Sequence, residues 1–242
     1  PARYLTSRLN TTTGEMIFAL NYSELSIKYT ETEGSVGKVP TIAGINYSEG
    51  NKDGLTSKTL ENLSRIKFAS ENYAGRTATL FMKFNLTDFG AGCVMSGVYG
   101  AAYDTLYVSE NGIYPVFWGE KNGAASGCFF SFGELETYVL KLNSATLETV
   151  NAVNLSGYTV YDRQALKQFG DKLYVVCSRT NGAGTSVVAF NASDLSLCSE
   201  LKNIAPDEDV KSVSYKKEAD GKLSCLITTY RNIDPLFKVD IT

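Results

Sequence analysis

The sequence predicts an all-β protein built from repeated antiparallel strands. Five short segments share one pattern of alternating apolar residues that ends at an Asn or Asp. Alternation with a period of two is typical of half-buried strands. Turn-forming residues flank these segments, and no stretch has convincing helical spacing of its apolar residues. The repeat and the turns together therefore predict strands joined by short connections.

Each copy of the repeat ends at a polar residue that we call its anchor. The residues one and three positions before the anchor are large and apolar, as Phe84 and Met82 are before Asn85. The residue between them is Ala or Lys, which is predicted to face water because successive side chains of a strand point to opposite faces. The anchors are Asn21, Asn85, Asn143, Asn191 and Asp240, which lie 64, 58, 48 and 49 positions apart.

The anchor is predicted to end its strand in a turn. An Asn or Asp side chain bonds the backbone two residues further on and so forms an Asx-turn. A Leu or Phe four residues after the anchor, such as Leu147 or Leu195, is then predicted to open the next strand. Three of the seven N-x-Ser/Thr triplets begin at anchors. For these three, the turn explains the triplet without a glycan.

A further strand precedes most copies and is joined to them by a hairpin. Residues 4–9, 65–69, 173–177 and 223–227 are predicted to pair with the first, second, fourth and fifth copies. A unit of three or four strands that recurs every 48 to 64 residues is the sequence form of a β-propeller blade.

The fourth copy resembles the blades of YVTN, NHL and quinoprotein-like propellers. Residues 170–175 read GDKLYV and residues 185–195 read TSVVAFNASDL. Residues 104–111 are a second, weaker match. The resemblance implies a propeller architecture only, because the WD dipeptide, the sialidase Asp-box and the kelch double glycine are absent from the sequence.

We therefore predict one domain over residues 1–242, a β-propeller of about five four-stranded blades or part of a larger propeller. The first copy begins at what reads as a second strand and the last copy ends at its anchor. The two chain ends are thus expected to close the ring jointly, since an unclosed edge invites aggregation. A two-sheet β-sandwich of the same strands is the alternative fold.

The composition excludes several functions. The chain has no histidine, which rules out Ser-His-Asp and Cys-His nucleophiles and His-ligated zinc. A net charge of -3 leaves no basic footprint for nucleic acid. No apolar stretch is long enough to span a membrane. The five cysteines include no CxxC pair, and neither a metal site nor a cofactor is predicted.

The third unit carries an insertion that is a candidate for ligand binding. Thirty residues separate Tyr107 from Tyr138, whereas eleven separate Tyr174 from Ser186. Long loops on a rigid scaffold often bind ligands, and exposed aromatic residues suit sugars or peptides. The alternative is that these aromatic residues belong to longer strands that pack in the core. The candidate ligand-binding residues are Tyr114, Phe117, Trp118, Glu120 and Asn122.

A pair of carboxylates is the one catalytic device that remains available without histidine. The candidate acids are Asp104, Asp162, Glu120 and Glu134, although no spacing brings any two of them together. The tripeptide at 207–209 is expected to be no more than a charged surface loop. Whether the protein is an enzyme is left open, with the balance against it.

The first hypothesis is therefore a non-enzymatic binding propeller that recognises a protein, a glycan or a small ligand. We expect it to be secreted or attached to the cell surface. The alternative is a carboxylate-dependent, glycan-processing enzyme on the same scaffold. The sequence predicts no particular ligand and no oligomeric state.

Overall fold

The computed structural model describes residues 2–22, 25–32, 35–42, 66–68, 78–88, 90, 92–99, 102–120, 135–180, 184–230 and 235–241. These residues form nineteen strands and no helix, so they hold no helical segment that could cross a membrane. In chain order the strands are β1 (Ala2–Asn10), β2 (Glu15–Tyr22), β3 (Leu25–Thr32), β4 (Ser35–Ile42), β5 (Ile66–Phe68), β6 (Ala78–Asn85), β7 (Cys93–Tyr99), β8 (Ala102–Val108), β9 (Ile113–Glu120), β10 (Leu135–Leu142), β11 (Thr149–Asn154), β12 (Tyr158–Thr159), β13 (Leu166–Phe169), β14 (Lys172–Arg179), β15 (Gly184–Asn191), β16 (Leu197–Pro206), β17 (Val210–Lys217), β18 (Leu223–Thr229) and β19 (Leu236–Asp240).

Four sheets follow one another along the chain. The first sheet has the order β1-β2-β6-β7-β5, in which only β5 runs parallel to its neighbour. The second sheet is the antiparallel meander β8-β9-β10-β11, and the fourth is β17-β18-β19. In the third sheet, β12 and β13 both pair with β14, which is followed by β15 and β16. Strands β3 and β4 form a separate hairpin.

The hydrophobic core lies between successive sheets. Phe81 of the first sheet and Phe117 of the second meet edge to face, with ring centroids 6.2 Å apart. Val187 of the third sheet and Val213 of the fourth belong to a second buried cluster. Sheets that bury apolar residues against both neighbours are the packing unit of a propeller.

The structure confirms the Asx-turns at three anchors. The side-chain Oδ1 of Asn85 accepts a hydrogen bond from the backbone N–H of Thr87 at 2.8 Å. Asn143 and Asn191 bond the backbone N–H two residues on in the same way, at 2.8 and 2.9 Å. Asn85, Asn191 and Asp240 end the third strand of their sheets, and Asn143 directly follows one. The hairpins predicted for 4–9, 173–177 and 223–227 are also present.

The first two anchors do not mark two separate units. Asn21 lies in β2 and Asn85 in β6, and these two strands pair directly in the first sheet. Residues 23–77 are inserted between the second and third strands of that sheet, and β5 within them pairs with β7 instead of forming the predicted hairpin with β6. The described residues therefore form four sheets and one hairpin.

The chain ends do not complete one sheet between them. Strand β1 belongs to the first sheet and β19 to the fourth. Each of them pairs with its neighbour in sequence, β2 and β18 respectively. These two strands therefore do not pair with each other, and closure of the ring by the two chain ends stays a prediction.

The faces of the repeat strands also differ from the prediction. Ala19, Lys83 and Ala189 were expected to face water, but they are 0%, 9% and 3% exposed. They are buried because a neighbouring sheet covers the face of the strand on which they lie. Leu147 and Leu195 do not open strands either, since both are buried in the turn with φ near 60°.

Candidate functional site

The first strands of the sheets lie at sheet edges, and contacts link them from one sheet to the next. Strand β1 lies beside β8. The backbone N–H of Gln168 in β13 donates to the Tyr107 hydroxyl of β8 at 2.9 Å. The Tyr215 hydroxyl of β17 donates to the Ala165 carbonyl, just before β13, at 2.7 Å. Contacts between the first strands of successive sheets are typical of a propeller, whose blades surround a central channel.

A pocket of about 510 Å³ opens where three of these strands end. Its walls are residues 9–11 at the end of β1, residues 107–111 at the end of β8 and residues 167–170 at the end of β13. We call it the mouth pocket. Convergent strand ends on a rigid scaffold are a common location for ligand sites.

Hydrogen bonds between the sheets fix the rim of the mouth pocket. The Thr12 hydroxyl donates to Glu110 Oε1 at 3.3 Å, which links the first sheet to the second. The Ser109 hydroxyl donates to the side-chain oxygen of Gln168, which links the second sheet to the third. Asn10 accepts the backbone N–H of Thr12 at 3.1 Å. These contacts hold the three strand ends in place before any ligand binds.

The mouth pocket is polar and carries charges of both signs. Glu110 is exposed, and Lys167 is half-buried in the part of the wall that β13 forms. The ammonium of Lys217 lies 5.9 Å from the ring centroid of Phe169, a cation–π contact that occupies one face of this wall. Such a lining can donate and accept hydrogen bonds around a hydroxyl-rich or amide-rich ligand.

Asp104 lies near the other end of β8, and its acidity is altered. Burial disfavours its carboxylate and raises its pKa from 3.8 to about 6, although the positive charge of Arg163 opposes the rise. The adjacent Tyr103 has its pKa raised to about 12 by burial, with Arg8 acting in the opposite direction. Asp104 therefore titrates near neutral pH under the influence of one guanidinium group, that of Arg163.

Asp162 has a structural role. Its Oδ2 accepts the backbone N–H of Val213 at 2.9 Å, and its Oδ1 accepts that of Gln164. The first bond ties the loop before β13 to β17 of the fourth sheet. Both bonds of Asp162 are to backbone N–H groups, so neither of them pairs it with Asp104. The described residues contain no group of three or more acids or cysteines that could hold a metal.

Tyr114 and Phe117 are core residues, which corrects the prediction that they contact a ligand. Both are 0% exposed. The Tyr114 hydroxyl donates to the Ala192 carbonyl of the third sheet at 3.1 Å. Both are buried because β9 is the second strand of its sheet and neighbouring sheets cover its two faces.

Trp118 is the candidate aromatic residue that remains accessible, at 43% exposed. It lies at the far end of β9 from the mouth pocket, opposite Ala102 of β8. Glu120 ends β9, but its side chain lies outside the described residues, as do Asn122 and Glu134. The structure therefore does not bring Trp118 together with the mouth pocket.

The predicted length of the insertion is too large because it compares a first strand of one sheet with a second strand of another. Tyr107 lies in β8, a first strand, whereas Tyr174 lies in β14, a second strand. The counterpart of Tyr174 is Tyr114 in β9. The similarity between Ile113-Tyr114 and Leu173-Tyr174 could have revealed this register. The Ser-Glu-Asn-Gly run at 109–112 likewise marks the β8–β9 hairpin at the mouth pocket.

The four sheets, their buried interfaces and the central edges define a β-propeller. The chain belongs to the beta propeller domain family, whose profile matches residues 1–242. No curated protein matches the sequence.

Two solved structures resemble the chain loosely. One is an exo-β-1,3-galactanase from Clostridium thermocellum, with 8% identity and a TM-score of 0.40 over 96% of this chain and 44% of that one. The other is an α-L-arabinofuranosidase from the same organism, with 11% identity and a TM-score of 0.26 over 97% and 85%. The chain thus spans less than half the length of the galactanase, and the activities named are those of the two enzymes.

Proposed function

We propose that the protein is a non-enzymatic binding propeller whose ligand enters the mouth pocket. The observation that carries this proposal is the pocket of about 510 Å³ at the converging ends of β1, β8 and β13. Its volume falls in the range of small-ligand sites, about 300–1,000 Å³. Its rim is fixed by contacts between sheets, so little conformational entropy is lost on binding.

The lining favours a polar ligand, and we propose a short glycan. Glu110 offers an acceptor group and Lys167 a donor group, and both residues line the pocket. Their charges are opposite, so the site selects neither an anion nor a cation strongly. Hydroxyl groups both donate and accept hydrogen bonds and so suit this pair, and the Tyr107 ring adds an aromatic surface.

The binding proposal predicts a specific loss when the two charged groups are replaced. Glu110→Gln with Lys167→Met should weaken binding to a glycan array by about tenfold or more. Asp220→Asn with Lys222→Met is the matched control, because it removes an exposed acid–base pair 3.6 Å apart at a turn of the fourth sheet. Equal binding by both double variants, or the absence of glycan binding by the unaltered protein, would exclude a glycan in the mouth pocket.

A carboxylate-dependent, glycan-processing enzyme is the second candidate, and Asp104 is what favours it. An acid with a pKa of about 6 can donate a proton near neutral pH, as glycosidase acids do. Asp104→Asn should then reduce sugar release at least about a hundredfold, while Asp220→Asn leaves it unchanged. If the unaltered protein releases no reducing sugar from mixed glycans, this candidate fails.

The raised pKa of Asp104 also predicts a pH effect on stability. The folded protein binds this proton more tightly than the unfolded chain. Relative to Asp104→Asn, the unaltered protein should therefore lose stability as pH rises from about 4 to about 6 and change little above that. Urea unfolding across this pH range measures the difference, which should be about 1–3 kcal/mol. A pH-independent difference would show that Asp104 titrates normally.

We further propose that the protein is secreted or attached to the cell surface. The support is the sequence alone, chiefly the four N-x-Ser/Thr triplets that do not begin at an anchor. Fractionation of cells that express the gene from its own promoter tests the proposal, and recovery in the cytosol alone would contradict it.

A further inference from the structure

A lysine two residues before the anchor links each of the first two sheets to the next one. Lys83 Nζ donates to the Ser144 carbonyl at 2.6 Å, and Ser144 is the first residue after the next anchor. Lys141 Nζ donates to the carbonyls of Ala192 and Ser193 at 2.6 and 2.9 Å, again directly after the next anchor. The lysine at this position therefore points toward the following sheet and binds its Asx-turn.

The residue four before the anchor lies on the same face of the strand and packs against the following sheet. Phe81, Val139 and Val187 occupy this position in the first three sheets and are 0%, 0% and 4% exposed. We call the face that carries these two positions the forward face of a sheet. In the first three sheets the forward face is covered by the next sheet.

The fourth sheet presents the same forward face, and no other sheet of the described residues covers it. Leu236 and Lys238 hold the two positions before Asp240, and they are 60% and 54% exposed. Lys238 forms ion pairs with Glu218 at 2.9 Å and Asp240 at 3.7 Å, both close to its own strand. The forward face of the fourth sheet has the same register and the same residue types as the covered forward faces. It therefore has the features of a sheet-binding surface.

The first sheet presents the complementary surface, which we call the rear face. Residues one and three before the anchor form the rear face and pack on the preceding sheet. In the second and third sheets they are fully buried: Leu140, Leu142, Val188 and Phe190. In the first sheet the same positions, Met82 and Phe84, are only half-buried, and Phe84 meets the ring of Phe18 on the same face. Leu86, which follows Asn85, is 38% exposed.

We propose that a second copy of the chain docks head to tail, with the forward face of the fourth sheet of one copy against the rear face of the first sheet of the next. Lys238 would release its surface carboxylates and donate to the carbonyls that follow Asn85, as Lys83 and Lys141 do at the internal interfaces. Leu236 would cover the apolar rear face that includes Met82 and Phe84.

A second copy is the favoured occupant because, among the described residues, no sheet covers either of the two complementary faces. The four described sheets of two copies make eight, which lies within the four to eight blades with which propellers close. A head-to-tail contact is heterologous, so it closes a ring when its rotation allows and otherwise extends. This interface is separate from the mouth pocket and does not depend on the proposed function.

Light scattering after size exclusion, over a range of protein concentrations, tests the proposal. The unaltered protein should at least double its mass as concentration rises. Leu236→Asp and Leu86→Asp should each remain monomeric, because each destroys one of the two faces, with association weakened about tenfold or more. An equimolar mixture of the two variants should form pairs, because each contributes the face that the other lacks.

Lys238→Glu gives a second test with a matched control. Lys202 is 57% exposed and pairs with Glu200 at 3.1 Å, so Lys202→Glu makes the same charge change on another surface. Lys238→Glu should abolish association and Lys202→Glu should leave it intact, with circular dichroism confirming that both fold. A monomeric unaltered protein would overturn the proposal and point to closure within one chain. Failure of the mixed variants to pair, or an equal effect of both lysine changes, would also overturn it.

Discussion

The third and fourth sheets carry the same repeat but are buried to different extents. In β15, seven consecutive residues from Gly184 are buried, whereas β19 alternates between exposed and buried positions. The third sheet lies between two neighbours, and the fourth is covered on the face that carries Val213 and Cys225. The position of a sheet in the stack, and not its own sequence pattern, therefore decides how many of its faces are buried.

The largest expected effect is a difference in stability when a large residue in the third strand of each sheet is truncated. Phe190→Ala removes a ring that is 2% exposed and should cost about 3–5 kcal/mol of unfolding free energy. Leu236→Ala removes a side chain that is 60% exposed and should cost about 0.5 kcal/mol or less. Urea unfolding of dilute protein measures both. Similar losses at the two sites would mean that the forward face of the fourth sheet is already covered within one chain.

The strands and turns were predictable from sequence because they depend on local chemistry. The Asx-turns at Asn85, Asn143 and Asn191 follow from one side chain and the backbone two residues away. The burial of Ala19 and Lys83 depends on a neighbouring sheet, which no short pattern reveals. The register of β2 against β6 was missed for the same reason, since an insertion separates these strands in sequence.

The candidate site was less predictable than the fold. Glu110 and Lys167 are separated by more than fifty residues, and only the convergence of β8 and β13 brings them to one pocket. Glu208 was expected in a surface loop, yet it is 8% exposed and accepts a hydrogen bond from the Thr229 hydroxyl. The sequence pattern alone does not show that Tyr114 lies in β9, a buried second strand, and not in an inserted loop. Sites formed at sheet edges thus need the topology before their residues can be grouped.

A smaller effect distinguishes the inter-sheet lysine of a covered sheet from that of the fourth. Lys141→Met removes hydrogen bonds from an ammonium to two carbonyls of the third sheet and should cost about 1–3 kcal/mol. Lys238→Met removes ion pairs at the surface and should not change the urea midpoint of the monomer measurably. If Lys141→Met also left the free energy of unfolding unchanged, the lysines would not stabilise the interfaces between sheets. The head-to-tail proposal would then lose its polar contact.

The smallest expected effect is a difference in the rate of local opening between the fourth sheet and the third. Cys225 and Cys177 are both 0% exposed, and burial raises the pKa of each thiol, to about 12 for Cys225. Cys225 is covered by the interface between the third and fourth sheets, whereas Cys177 lies in a sheet with neighbours on both sides. Because a sheet covered on one face has less apolar contact to break, local opening should expose Cys225 first.

Iodoacetamide labelling in native buffer, resolved by peptide mass, should modify exposed Cys198 at once and Cys225 about tenfold faster than Cys177, which corresponds to about 1.4 kcal/mol. Equal labelling rates would show that the two sheets open together, and the fourth sheet would then be as firmly held by one covered face as the third is by two.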